Sequence, residues 1–385
     1  MARILISLIS FVILVSGCAQ SGSIFPELGD GLATPSAMAF DVAANRLYVV
    51  NSNAEVLYNW QEGTFQVYDI TNPLAPVLLE STPTASFSGQ IYLDAAAGRA
   101  YVPNRYSPSE ASEEDRLYTF DVDDGSANFG TFTEQAAGRD AYAIDCCYPA
   151  DRVWISTSLN EIQYFDLTGV VPTGSMTLNS DLDTGGKLTN TEFNHIARVG
   201  NQAFLSREYG GVLVVNLDKA GQTGANALDY WIGDVPNPRG IATDGTNIYV
   251  VGEGNECGED YCRFVEIIRI VDLVPRTGNI NAIQVDKDDS GILVATIEVG
   301  KNPQEILLST DYIFVTNQDD NTLSVINRST LGAITPLAVG EAPFSLALYV
   351  TPAGEEKYLY VGNAESNTIS IVDIPTLTVV ATYPQ

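Results

Sequence analysis

Between Leu359 and Pro384 the chain reads LYVGNAESNTISIVDIPTLTVVATYP. Apolar and polar residues alternate in short runs, and each run stops at Asn, Asp, Ser or Pro. Period-two alternation bounded by such residues is the pattern of half-buried strands joined by tight turns. The stretch predicts a strand, a polar turn, a second strand, a Pro-marked turn and a third strand.

The pattern recurs along the chain. Its second-strand cores are LYVVN (47–51), AYVPN (100–104), VWIST (153–157), AFLSR (203–207), IYVVG (248–252), IFVTN (313–317) and LYVGN (359–363), spaced by 53, 53, 50, 45, 65 and 46 residues. Each core follows a strand such as AMAFD or IYLD. Each precedes a third, such as FQVYDIT, IQYFDLT or ISIVDIP, and a fourth, such as VLLES, LDYWIG or LVATIEVG. Four antiparallel strands repeated seven times predict an all-β fold, a seven-bladed β-propeller of four-stranded antiparallel blades over residues 34–385. Composition agrees: 32 Gly and 18 Pro suit many turns, and no window after the N-terminus holds a 3.6-residue apolar period.

The units resemble YVTN-type β-propeller repeats, most closely in IFVTNQDDNTLSVINRSTLGAI and LYVGNAESNTISIVDIPTLTVVATY. The first unit, FQVYDITNPLAPVLLES, resembles the related LVIVD repeat. The resemblance implies the fold; propellers of this kind serve as binding modules, surface proteins and a few enzymes, so function has to be argued from the site. The third strand tends to end in Asp (Asp69, Asp121, Asp166, Asp218, Asp272, Asp373, with Asn327 in the sixth unit). These are expected to cap their own turns by accepting backbone hydrogen bonds.

The N-terminus adds an address. Residues 1–17 carry Arg3, an apolar run from Ile4 to Val15 and small residues. That run is too short to span a bilayer and reads as a secretory signal peptide. Val15-Ser16-Gly17-Cys18 resembles the lipobox of bacterial lipoproteins, which implies cleavage before Cys18 and lipidation of that residue. Residues 18–33 are then a lipidated tether. Ala19, in place of an Asp, implies sorting to the outer membrane. The expectation is an outer-membrane lipoprotein of the bacterial cell envelope, facing the periplasm or the exterior and held to the membrane by its lipid.

A formal charge of −29 with 19 basic residues repels phosphate backbones, which argues against nucleic acid as a partner. It favours cations or a basic protein partner. Calcium is the cofactor to consider, because Asp286, Asp288 and Ser290 resemble the first half of a calcium loop, although the twelfth position is Ile297. Cys257 and Cys262, in CGEDYC, are expected to form a disulfide in an exported chain. Cys146 and Cys147 are adjacent and could bridge, stay thiols or differ in fate.

In propellers of this type the first strand of each blade lines the central channel. Aligning the segments that lead into those strands gives Ser88-Gly89-Gln90, Gly138-Arg139-Asp140, Phe193-Asn194-His195, Pro238-Arg239-Gly240, Pro303-Gln304-Glu305 and equivalents in the other two blades. The candidate ligand-binding channel mouth is Arg139, Asp140, Asn194, His195, Arg239, Gln304 and Glu305. Two arginines there either recognise an anion or pair with neighbouring acids to hold the ring. The loops between second and third strands carry acids among Tyr58, Trp60, Tyr106 and Tyr261, a composition that suits a protein interface or plain solvation. One His in the chain leaves no His cluster for copper or iron, and there is no GxSxG elbow or P-loop. No catalytic set can be assigned. The sequence therefore points to a binding or scaffold module for a protein partner or a small anionic ligand. The alternatives are an assembly factor like the propeller lipoprotein of the barrel-insertion machinery and an envelope enzyme of lactonase or amine dehydrogenase type.

Overall fold

The structure is a computed structural model that describes residues 31–384 except 53, 56–58, 61, 86–88, 106–114, 158–160, 168–173, 178–192, 208–209, 221–226, 255–261, 272, 274–283 and 288–290. Residues 1–17, expected to be a signal peptide, together with Cys18, Cys257, Asp288, Ser290 and most of the acidic aromatic loops fall outside the described residues, as does the side chain of Cys262.

Seven small antiparallel sheets follow one another along the chain. Blade 1 is Pro35–Asp41, Arg46–Asn51, Gly63–Asp69 and Val77–Thr84. Blade 7 is Pro343–Val350, Glu356–Asn363, Thr368–Asp373 and Thr378–Tyr383. The five between repeat this order, with inner strands Tyr92–Asp94, Ile144–Cys146, Phe193–Val199, Pro238–Thr243 and Pro303–Leu308. The seven sheets make the seven-bladed propeller that the repeat predicts.

The second strands read as continuous apolar runs because both faces are packed. Ile313, Phe314 and Val315 are all fully buried, as strands covered on both sides must be. Outer strands keep the alternation of one wet face, as in Leu293–Glu298. Apolar clusters fill the joints of the ring: Val67 with Val102 between blades 1 and 2, Leu117 with Val153 between 2 and 3, Val265 with Val315 between 5 and 6, and one continuous cluster through blades 3, 4 and 5 that holds Trp154, Phe204 and Ile248. The Phe65 and Phe120 rings stack across the first joint with centroids 3.8 Å apart. The seam where blade 7 meets blade 1 is filled the same way, by Met38, Val49, Tyr360 and Ile371. There Ser345 Oγ donates to the Pro35 carbonyl at 2.8 Å, and the Thr34 N–H to Asn367 Oδ1 at 2.8 Å.

The Asn that ends several second-strand cores has a structural task. Asn317 is fully buried. Its Oδ1 accepts the Gly300 N–H at 3.0 Å, and its Nδ2 donates to Thr322 Oγ1 at 3.0 Å and Ser324 Oγ at 2.9 Å. Asn51 does likewise with the Ala33 N–H, Thr64 and Gln66. One amide thus ties the segment leading into a blade to that blade's third strand, using donor and acceptor together. The latch reaches back to Ala33, and Leu32 is already buried against the blade 1–7 core.

The third-strand Asp residues cap turns in blades 1, 2 and 7: Asp69 accepts the Thr71 N–H, Asp121 the Asp123 N–H and Asp373 the Thr376 N–H. Asn327 does so in blade 6. Blade 4 differs. Asn216 accepts the Asp218 N–H, while Asp218 takes the Tyr148 hydroxyl of blade 3 at 2.6 Å. A short 3₁₀ turn, Leu217–Lys219, moves the cap two residues earlier. The same Asp positions also pair across to the start of the second strand, as Arg99–Asp121 at 3.0 Å, Arg152–Asp166 at 2.7 Å and Lys357–Asp373 at 2.8 Å. Much of the scarce basic complement is thereby committed to the face opposite the mouth.

The long spacing between the fifth and sixth cores has a topological cause. An insertion between the third and fourth strands of blade 5 contributes Gln284–Asp286, which pairs in parallel with the outer strand of blade 4, Leu228–Gly233. Lys287 follows, buried, with Nζ 3.1 Å from Glu266 of blade 5. Asp286, the described member of the calcium half-motif, belongs to this edge strand, and its neighbouring ammonium is turned inward. Cys146 and Cys147 are bridged by a disulfide at the end of the blade 3 inner strand.

Candidate functional site

The inner strands share an irregularity at their start. Register slips occur between Pro35 and Ala37, Phe193 and His195, Pro238 and Ile241, Pro303 and Ile306, and Pro343 and Ser345. A bulge leaves residues unpaired and turns their side chains away from the ladder. The slipped residues are Ser36, Asn194, Arg239 with Gly240, Gln304 with Glu305, and Phe344. Five blades therefore release side chains at the same level of the channel, among them four of the seven mouth candidates.

At that level the axis is crossed by side chains. The Gln90 amide of blade 2 lies 2.5 Å from His195 Nδ1 of blade 4, and His195 Nε2 lies 3.4 Å from Glu305 Oε2 of blade 6. Tyr142 of blade 3 stands edge-on to the imidazole, centroids 6.4 Å apart. Close approach of the backbones makes this possible. A Cβ on Gly89 would collide with the Tyr142 backbone, and one on Gly240 would lie 2.8 Å from the Gln304 carbonyl.

The hydrogen bonds fix the imidazole tautomer. Gln90 Oε1 accepts the Ile144 N–H at 3.3 Å, so its NH₂ faces His195 and donates to Nδ1. His195 Nε2 then carries the proton, 3.4 Å from Glu305 Oε2. Glu305 Oε1 accepts its neighbour's N–H, from Ile306, at 3.2 Å. Burial pushes His195 down to about 4 and Glu305 up to about 8, because each charged form loses its water. At neutral pH the pair is an uncharged imidazole beside a protonated carboxyl. One fifth of the Glu305 side chain (20%) remains exposed, so the carboxyl can still be reached.

Two arginines lie near Tyr142. The Arg105 guanidinium lies 5.5 Å from the Tyr142 ring centroid and 3.9 Å from Asp140 Oδ1. Burial and the nearby Glu305 push the Tyr142 hydroxyl up, while Arg105 and Arg239 pull it back, which places both arginines close to it. Arg239 forms no ion pair with a described carboxylate, in a chain where 48 acids face 19 bases.

The mouth residues divide accordingly. His195 and Glu305 touch, with Arg239 beside their cluster. Asn194 donates to the Pro238 carbonyl at 2.8 Å, and Gln304 to Asn302 Oδ1 at 2.6 Å; both fasten the bulges. Asp140 receives Arg105, and its own N–H is held by Asp115 Oδ2 at 2.5 Å. Arg139 is the outlier: its side chain is 77% exposed, with only Asp140 nearby at 3.6 Å. Arg105 and Tyr142 were not among the sequence candidates. Arg105 follows Asn104, the last residue of its second-strand core, and Tyr142 lies two residues beyond the aligned triplet, so position within the repeat does not mark them.

No protein-family model matches the chain, and no curated protein matches it in sequence. Solved structures do resemble it. A chain of Kuenenia stuttgartiensis hydrazine synthase superposes with a TM-score of 0.65 at 12% identity, covering 90% of this chain and 97% of that one. The computationally designed Ika8 protein superposes with a TM-score of 0.56 at 13% identity, covering 93% and 88%. At such identities the likeness is one of fold, and the fold these comparisons and the seven sheets agree on is the β-propeller.

Proposed function

We propose that this protein is a lipid-anchored envelope β-propeller that works as a binding module, and that its ligand is a small anion taken at the channel mouth. The observation that carries the reading is Arg239, a half-buried cation with no ion pair to a described carboxylate, which like Arg105 lies close enough to Tyr142 to act on its hydroxyl. In so acidic a chain an unpaired guanidinium is held in place for a charge that comes from elsewhere. The side chains that cross the axis leave the mouth as a cup rather than a conduit. The test is calorimetric titration of the full-length protein, in detergent, with acetate, succinate and inorganic phosphate. Binding abolished by Arg105→Ala, Arg239→Ala would support the mouth. Binding that survives the double substitution would place the anion elsewhere.

A protein partner is the second reading, and a separate observation favours it. Val77 and Leu79 on the outer strand of blade 1 are 60% and 45% exposed, and Val379 and Val380 on that of blade 7 are 38% and 46% exposed. The two blades are neighbours at the seam, and exposed apolar residues on adjoining outer strands are candidates for a contact surface. Crosslinking in intact envelopes, compared with a Leu79→Lys, Val380→Lys variant, decides it: loss of a specific crosslinked species supports the partner.

A further inference from the structure

Blade 4 ends its second strand, Gln202–Arg207, on an arginine. Arg207 stands where blades 1, 6 and 7 carry Asn51, Asn317 and Asn363. In those three blades the Asn faces a Thr of the third strand, Thr64, Thr322 or Thr368, and donates to its hydroxyl. The residue two places further on, Gln66, Ser324 or Ser370, accepts a second bond. Blade 4 offers neither acceptor. Arg207 faces Gly211, whose carbonyl takes the Arg207 backbone N–H at 3.3 Å, and the residue two places on is Leu213.

The guanidinium is nonetheless inside the protein. Arg207 is 5% exposed, and its Nε and Nη1 are buried without a hydrogen-bond partner. Burial pushes its pKa down, and no described acid offsets that. The Trp231 indole packs beside it, with Cζ 5.7 Å from the ring centroid. Gly211 makes room for this indole, since a Cβ there would collide with Trp231 Nε1. An indole face answers only part of a cation's charge. A guanidinium does not escape burial by giving up its proton, so the fold holds a charge and at least two N–H donors that the chain leaves unanswered.

We infer that Arg207 and Trp231 form a second anion site, at the mouth end of blade 4, and that it takes a small inorganic monoanion of the halide class. The site does not rest on the reading of the mouth, because Arg105 and Arg239 play no part in it. A carboxylate or phosphate brings several oxygens that each need a donor, and the Gly211 and Leu213 side-chain positions supply none. A halide is spherical and accepts from whichever N–H groups point at it. With Arg207 so enclosed, the ion is held as a part of the blade. It completes there what the Thr and Ser hydroxyls complete in blades 6 and 7.

The experiment measures chloride on the full-length protein, in detergent at neutral pH, by equilibrium dialysis with radiolabelled chloride. Melting temperature is recorded alongside, in sodium chloride and in sodium gluconate at equal ionic strength. Wild type is expected to bind chloride saturably and to melt higher in chloride, by an increment that grows with its concentration. Arg207→Met keeps an apolar stem and removes the charge. It is expected to lose about tenfold or more in chloride affinity and to melt alike in both salts. Arg207→Gln is the second variant and is expected to behave the same way, and circular dichroism confirms that each ring is intact. The Arg105→Ala, Arg239→Ala protein is expected to keep the chloride increment, which separates this site from the mouth. Wild type that binds no chloride and melts alike in both salts overturns the inference. So does a chloride effect that survives in full in a folded Arg207 variant, or one that disappears in the Arg105→Ala, Arg239→Ala protein.

Discussion

Glu305 of blade 6 stands 3.4 Å from His195 of blade 4, two blades that share no edge, and the contact is made over the axis of the ring. Each group is enclosed enough to prefer its neutral form.

Stability should therefore follow pH in a defined way. Glu305 rises from an ordinary 4.5 to about 8, so its contribution is complete below 4.5 and is lost as pH climbs toward 8. His195 falls from 6.5 to about 4, so its contribution is complete above 6.5 and is lost on acidification toward 4. Between about 4.5 and 6.5 the native pair and the unfolded pair each hold one proton, and the two effects cancel. Melting temperature is expected to be level over that interval and to fall from pH 6.5 to 8. Glu305→Gln should remove the alkaline fall; an unchanged slope in that variant would show that another group is responsible.

The Asn latch gives a second prediction. Asn317→Ala strands the Gly300 N–H and removes both bonds to Thr322 and Ser324. Loss of a buried hydrogen-bond partner costs about 1–3 kcal/mol, and the same range is expected for Asn51→Ala. Asn317→Asp should not rescue, because a carboxylate has no proton to donate to the two hydroxyls. Denaturant unfolding of the three variants is the measurement, and a change within a few tenths of a kcal/mol would remove the latch from the account.

The buried Lys287–Glu266 pair ties the insertion to the third strand of blade 5. Lys287→Met leaves a buried carboxylate without its cation, and breaking such a pair costs about 3–5 kcal/mol. Replacing both partners, Lys287→Met with Glu266→Leu, should recover most of that loss. A double variant as unstable as the single one would mean that the strand Gln284–Asp286 depends on the charges themselves.

Cys18→Ser is expected to release the protein from membranes or to stall its processing, because Val15-Ser16-Gly17-Cys18 resembles a lipobox. Fractionation with a mature mass measurement checks this. An unchanged mass and an unchanged membrane fraction would remove lipid from the account.

The blades were legible because their signals are local. LYVVN or IFVTN carries its own alternation, its own turn residue and its own latch, and the repeat supplies the count. The mouth was legible in part. Aligning the segments before the inner strands found His195, Glu305 and Arg239, since the bulges recur at one place. Tyr142 and Arg105 escaped because each reaches the axis from outside that register. The parallel pairing of Gln284–Asp286 with blade 4 was not legible at all: three residues at the edge of another sheet carry no periodicity, and the neighbour they choose is set by where the insertion can reach.

The seam has a consequence in time. Blade 1 is built wholly from the first strands of the ring and blade 7 wholly from the last, with no strand exchanged between them. As the chain emerges from its N-terminal side, the flank of blade 1 that will carry Met38 and Val49 against Tyr360 and Ile371 stays bare until the seventh repeat has followed. Six blades form an arc with two adhesive ends. Assembly thus becomes irreversible only at the last repeat, and a chain stopped short of Pro343 would offer its first blade to any other arc within reach.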